Sequence, residues 1–169
     1  MNIYDVIVIG GGHAGCEAAH ASARLGSKTL LITMKIDGIG QMSCNPAIGG
    51  IGKSHLAREV DSLDGLMCKA ADDASLQSRV LNSSKGAAVR ATRIQTCRDE
   101  YKKAMQKDIL NHENLTVLQS TVKSVKFSKN RAEGVVIESG DYIKSKCVVL
   151  TAGTFLDGVI HMGEKTFSA

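Results

Sequence analysis

The sequence predicts an α/β fold built on a parallel β-sheet, and three observations carry that prediction. The run Tyr4 to Gly10, YDVIVIG, is short, continuously apolar and rich in β-branched residues, as a strand buried on both faces requires. It leads directly into Gly10-Gly11-Gly12-His13-Ala14-Gly15, the spacing Gly-x-Gly-x-x-Gly. A helical stretch, CEAAHASARLG, then stops at Gly26 and gives way to a second apolar strand, KTLLIT, Lys28 to Thr33. A strand, a glycine turn, a helix and a strand within about thirty residues form the unit that binds dinucleotides, and this context is what makes the glycine pattern informative.

Each glycine has its own task in such a unit. Gly10 permits the tight turn off the strand, Gly12 lets backbone approach a pyrophosphate, and Gly15 lets helix and strand pack closely. The helix start adds unpaired N–H groups and the positive end of a dipole. Gly10, Gly11, Gly12, His13, Ala14 and Gly15 are therefore candidate cofactor-binding residues, with His13 open between a solvated turn residue and a neighbour of the cofactor. One expected element is missing. The second strand of these units usually ends in a carboxylate that holds the ribose, but here the position is Thr33 and the nearest carboxylate is Asp37.

From Met34 to Gly52 the chain reads as loop. Its end, SCNPAIGGIGKSHLAR, looks like a triphosphate-binding loop because of Gly52-Lys53-Ser54, but the required glycine position is Ala47 and no apolar strand feeds it, which argues against a P-loop nucleotidase. Cys44 sits in this polar, glycine-flanked loop after the second strand, at the sheet edge where ligands bind in open α/β folds. A thiol there is either a nucleophile or a small packing residue.

Lys53 to Ala74 reads as two short helices broken near Gly65, and Leu76 to Ala91 is ambiguous. Thr92 to His112 reads as one long amphipathic helix with Thr92 as N-cap. Short β segments follow, LTVLQ, TVKSVKF, AEGVVIES and DYIKSKCVVL, at hairpin-like spacing with turns at SKNR and SGD. CVVLTAGTFLDG is a buried strand that breaks at Ala152-Gly153 and carries Asp157 soon after. It is suited to rejoin the parallel sheet beside the first strand and to bring the backbone of Thr151, Ala152 and Gly153 near a dinucleotide. In KGAAVRATR, Lys85, Arg90 and Arg93 form either an anion-binding cluster or a solvated basic face.

The length of 169 residues suits one core. The net charge of +4 comes from basic residues interleaved with acidic ones along the chain, so it permits an anionic partner without demanding one. No stretch approaches the ~18 apolar residues of a membrane span, and the expectation is a soluble cytoplasmic protein. The five cysteines are odd in number and hold no Cys-x-x-Cys pair, which suits free thiols in a reducing compartment. Cys16, Cys68, Cys97 and Cys147 are expected to pack inside. The histidines share no ligand spacing, and no metal is assigned.

Four segments, DVIVIGGGHAG, GQMSCNPAIGGIGK, SKGAAVRATR and VVLTAGTFLDG, resemble in order and spacing the N-terminal part of the glucose-inhibited division protein A (GidA, or MnmG) family. The resemblance spans essentially the whole chain, with one departure at Ala87, where the family pattern usually has Pro. It implies a Rossmann-type FAD/NAD(P)-binding domain of the glutathione-reductase kind over residues 1–169, with a β-meander from Leu115 to Ile143 inserted before the final strand. It further implies FAD as cofactor, its pyrophosphate on Gly10 to Gly15 and its adenine end on the backbone of Val122, with NADH as reductant.

The implied function is tRNA modification. With a partner GTPase of the MnmE type, a homodimer would place an aminomethyl or carboxymethylaminomethyl group on C5 of the wobble uridine, with methylenetetrahydrofolate as one-carbon donor and glycine or ammonium as amine. Cys44 would act at the uridine, with Lys53, Lys85, Arg90 and Arg93 toward the substrate. A second cysteine, an NADH-binding insertion and a helical C-terminal region would lie beyond residue 169, so this portion alone is expected to hold flavin poorly and to be inactive. A folate- and FAD-dependent tRNA uridine methyltransferase shares the glycine turn but not the Ser-Cys-Asn-Pro run. A non-catalytic flavin-binding fragment is the competing reading from another class.

Overall fold

The computed structural model describes residues 3–168 other than 155 and 157, so the Asp157 of the sequence reading lies outside the described residues. The opening unit forms as expected: β1 (Tyr4–Ile9), α1 (His13–Arg24) and β2 (Thr29–Thr33), with β1 and β2 parallel. The connection to the next parallel strand is long. It runs through β3 (Ala47–Gly49), α2 (Lys53–Ser62), α3 (Leu66–Asp73), β4 (Ser75–Leu81), β5 (Ala91–Thr96) and α4 (Arg98–Asn111) to β6 (Leu115–Gln119). There follow β7 (Val122–Ser128), β8 (Arg131–Ile137), β9 (Tyr142–Leu150), and the hairpin β10 (Val159–Met162) with β11 (Lys165–Ser168).

The main sheet has the order β6-β2-β1-β9-β8-β7. β9 belongs to two pairings: Gly134 to Val136 of β8 pair antiparallel with its first residues, and Tyr4 to Ile9 of β1 pair parallel with Ser145 to Leu150. The return of this strand to the parallel sheet is as the sequence predicts. On one side Val8 and Leu31 meet α1, α3 and α4 in a core whose centre is Tyr101, Met105 and Ile109, all fully buried at the four-residue spacing of one helix face. On the other side Ile7, Leu30 and Ile32 meet Val135 and Ile137, so the β7–β9 meander covers the back of the parallel strands. Both faces are covered, which explains the continuous apolar runs of β1 and β2. This is the Rossmann-type architecture of the glutathione-reductase kind.

Four expectations need correction. Leu115 to Gln119 is not part of the meander: it pairs parallel with β2 from Thr29 to Thr33, because a strand that follows a covering helix re-enters the sheet as a crossover. Thr92 is not a helix cap. Residues 91–96 form β5, in which Thr92, Ile94 and Thr96 alternate with Arg93 and Gln95, and the helix starts only at Arg98. The loop read from Met34 to Gly52 contains β3, because Ala47 to Gly49 find an antiparallel partner in β5; the stretch left ambiguous from Leu76 begins within β4. Cys147 is exposed: it pairs with Val6 early in the parallel part of β9, a strand that α1 touches only marginally. Cys68 and Cys97 are half-buried, and Cys16 alone is fully enclosed.

Among the described glycines the tightest approach is at Gly15. A Cβ there would lie 1.8 Å from the Gly10 carbonyl oxygen, and one on Gly10, at φ +107°, would lie 2.5 Å from the Thr151 carbonyl oxygen. A Cβ on Gly12 would meet nothing within 4 Å. Gly15→Ala should therefore destabilise the fold by at least about 2 kcal/mol in thermal unfolding, while Gly12→Ala should shift the midpoint little. Equal midpoints would contradict the packing. Burial holds His13 and His20 below their ordinary value of 6.5, so the unfolded chain binds protons that the folded one does not, and stability should fall as pH drops from 7.5 to 5.5. The double variant with Gln at both positions should lose less over that range.

Candidate functional site

The carboxyl ends of β1, β2, β6 and β9 lie side by side, which is where open α/β sheets bind ligands. Gly10 N–H donates to Ile32 at 2.8 Å, and Thr151 holds the end of β1 through its N–H to Ile9 at 2.9 Å and its hydroxyl to Ile9 at 2.7 Å and Gly10 at 3.1 Å. β1 therefore ends in a fixed place, and three residues separate it from α1. Gly12 occupies the N-cap position with extended backbone and no side-chain cap, so the first N–H groups of α1 have no side-chain acceptor, and the space beside Gly12 is open. Gly11 is buried against the Thr33 side chain, 2.6 Å from where a Cβ would stand. The cradle fits a dinucleotide pyrophosphate: it has donors, a positive dipole end and room beside Gly12 that a side chain would fill.

The flanking positions close the same edge. Gly153 takes φ +65° just after Thr151 and Ala152, turning the chain there. Ser120 N–H donates to Thr33 at 2.9 Å, which brings the backbone that opens β7 at Val122 against the end of β2. Thr33 is 8% exposed and Asp37 pairs with Lys102 at 2.6 Å, so no carboxylate stands free at the ribose position at the end of β2. His13 is the first residue of α1 and is half-buried. Its Nε2 has no hydrogen-bond partner, its ring centroid is 5.7 Å from that of Tyr101, and burial with the nearby Lys53 charge holds the imidazole neutral at pH 7.

The Cys44 loop is shaped by a small antiparallel sheet in the order β3-β5-β4. Thr96 donates through N–H and hydroxyl to the Pro46 carbonyl, and the Arg98 guanidinium holds the Cys44 carbonyl. The loop backbone is pinned while the Cys44 thiol stays exposed. Lys53 donates to the Ala47 carbonyl at 3.2 Å and Ser54 to that of Gly50 at 2.8 Å. The lysine and hydroxyl that a triphosphate would need are thus spent inside the loop, and the strand before them is antiparallel. Lys85 and Arg90 are exposed in the β4–β5 connection, linked by Arg90 Nε to the Lys85 carbonyl at 3.1 Å, and Arg93 lies on β5. The fold brings Arg93 and the Cys44 loop to one small sheet, and Lys53, at the start of α2, lies near enough to His13 of the glycine cradle for its charge to act there.

Three residues that shape this region are not singled out by sequence. Arg98 anchors the Cys44 loop. Arg58 donates to the Thr92 hydroxyl at 2.9 Å and ties α2 to β5. Glu17 caps α3, accepting the N–H groups of Leu66 at 3.0 Å and Met67 at 2.7 Å, and so joins α1 to the helical pair. A carboxylate one turn into α1 on the buried side was the available signal. Burial pushes the Cys16 thiol, on the same helix, up to about 12, which leaves it inert.

Comparison with known proteins agrees with this arrangement. The model of the family described as glucose inhibited division protein A matches residues 5–169. Two crystal forms of Aquifex aeolicus GidA are 48% identical to the chain, with TM-scores of 0.92 over 97% of it and 0.93 over 98%. The chain spans 27% and 28% of the length of those proteins. The GidA-related protein from Thermus thermophilus, 18% identical with a TM-score of 0.62 over 98% of this chain and 60% of its own, shares the fold. The chain belongs to the glucose-inhibited division protein A family.

Proposed function

We propose that this chain is the FAD-binding portion of a longer enzyme that modifies C5 of the wobble uridine in tRNA. The observation that carries the reading is an exposed thiol on a loop pinned by Arg98 and Thr96, in a segment whose Lys53 acts on His13 of the open glycine cradle. Family membership supports the substrate class. The FAD pyrophosphate would rest on Gly10 to Gly15, with the backbone of Val122 toward the adenine and Thr151, Ala152 and Gly153 along the opposite side. Bound there, FAD supplies hydride-transfer chemistry, with NADH as the reductant.

The role of Cys44 follows from uracil chemistry. Its thiolate adds to C6, the C5–C6 π electrons move toward O4, and C5 becomes a nucleophile for an electrophilic one-carbon unit drawn from methylenetetrahydrofolate. Loss of the C5 proton then expels the thiolate and restores the ring. Lys53, Lys85, Arg90 and Arg93 supply positive charge toward the RNA. The partner GTPase, the glycine or ammonium amine and the homodimer complete the proposed system in the cytoplasm. Among the described residues no helix is long and apolar enough to cross a membrane.

Nucleoside mass spectrometry of total tRNA from a deletion strain tests the reading. The 5-substituted wobble uridine should vanish in the deletion, return with the intact gene, and stay absent with Cys44→Ser. Persistence of the nucleoside in the deletion would sink the tRNA reading. Gly12→Ala in the full-length protein should cut FAD retention at least tenfold while leaving the melting midpoint of the apoprotein near that of wild type. Brief alkylation at pH 8 should label Cys44 and spare Cys16, whose buried thiol stays protonated; labelling of Cys16 first would contradict the burial.

A further inference from the structure

Charges that interleave along the chain separate in the fold. Residues 38–58 and 74–98, which build the Cys44 loop, the start of α2 and the β3-β5-β4 sheet, contain Lys53, Arg58, Arg79, Lys85, Arg90, Arg93 and Arg98 and no Asp or Glu. The rest of the chain is net acidic. All five ion pairs among the described residues lie elsewhere.

The register sharpens this. On one face of the small sheet Ile48, 4% exposed, joins the helical core, and half-buried Ile94 lies opposite it on the same face. Successive residues alternate between faces, so the opposite face carries two cross-strand pairs, Gln77 with Gln95 and Arg79 with Arg93. Like charges placed directly opposite on a sheet repel, and here no carboxylate relieves them. A face that holds two guanidinium groups side by side, flanked by amides that both donate and accept, is built for an anion that arrives from outside. From Arg90, just before β5, to Arg98, which holds the Cys44 loop just after it, the extended chain spans roughly 25 Å. That length matches a row of phosphates and exceeds a single one.

We propose that the Gln77–Arg79–Arg93–Gln95 face of the β3-β5-β4 sheet is a docking surface for the sugar–phosphate backbone of the RNA substrate, aligned so that the strand leads toward the Cys44 loop. The identity of the polyanion rests on the tRNA reading above; the location and the role of Arg79 rest on the charge and register. Contacts of this kind are sequence-independent and act through counterion release.

The test uses the full-length protein and unmodified tRNA transcript. The dissociation constant is measured against KCl concentration by fluorescence anisotropy for wild type, Arg79→Gln, Arg79→Lys and the Arg79→Gln/Arg93→Gln pair, with bound flavin as the check on folding. Each glutamine substitution should weaken binding several-fold at low salt and lower the slope of log affinity against log salt by about 0.7–0.9, while Arg79→Lys keeps the slope. Unchanged slopes in flavin-replete variants that bind and modify tRNA would overturn the docking face and leave the functional reading standing. Absence of tRNA binding by wild type, together with an unaltered wobble nucleoside in the deletion strain, would overturn both. If the variants kept RNA affinity but lost binding to polyglutamate, the face would be a protein dock and the proposal would fall.

Discussion

The contact on which the rest of the molecule depends is backbone against backbone, where the first turn of α1 meets the end of β1. The Gly10 carbonyl occupies the space that a Cβ on residue 15 would need, and Thr151 clamps the same strand end from the other side. This approach seats α1 on the sheet, aims its free N–H groups outward beside Gly12, and fixes where β9 must end. Glu17, one turn further along α1, then caps α3, so the placement of α1 extends to the helical layer and through it to the small antiparallel sheet.

That small sheet gives the chain its chemical character. A plain βαβ crossover needs only one helix between parallel strands, but here the connection from β2 to β6 contains three strands and three helices. The inserted segments hold the exposed thiol, the pinned loop and an acid-free concentration of arginines, while the parallel sheet holds the glycine cradle. The division of labour is physical: the doubly covered sheet supplies a rigid edge, and the antiparallel insertion, whose β4 is exposed along nearly its whole length, presents its side chains to solvent.

Much of this was legible in the residues because local signals agreed with the fold. The β-branched run before the glycines, the small-residue helix and the break at Gly65 each declare their structure within a few positions. Failures came where tertiary pairing overrode local pattern. Thr92 to Thr96 sits next to a strong helix and shares its polarity, so only its two antiparallel partners make it a strand. Leu115 to Gln119 resembles a hairpin arm by spacing, and its parallel pairing depends on α4 packing over the sheet. Cys147 looks like core by composition, but its burial depends on which helix covers that end of β9. The charge separation was present as an acid-free stretch between Asp73 and Asp99, but its meaning needed the register that sets Arg79 against Arg93.

The claim that joins these parts is that the Cys44 thiol and the glycine cradle serve one reaction on uracil. It is tested most directly by incubating the full-length flavin-loaded protein and the proposed GTPase with tRNA carrying 5-fluorouridine at the wobble position, where fluorine stands in place of the C5 proton and traps the thioether at C6. The account predicts a denaturation-resistant protein–RNA adduct whose peptide map places the nucleotide on Cys44. An adduct on another residue, or none under conditions where ordinary tRNA is modified, would contradict it.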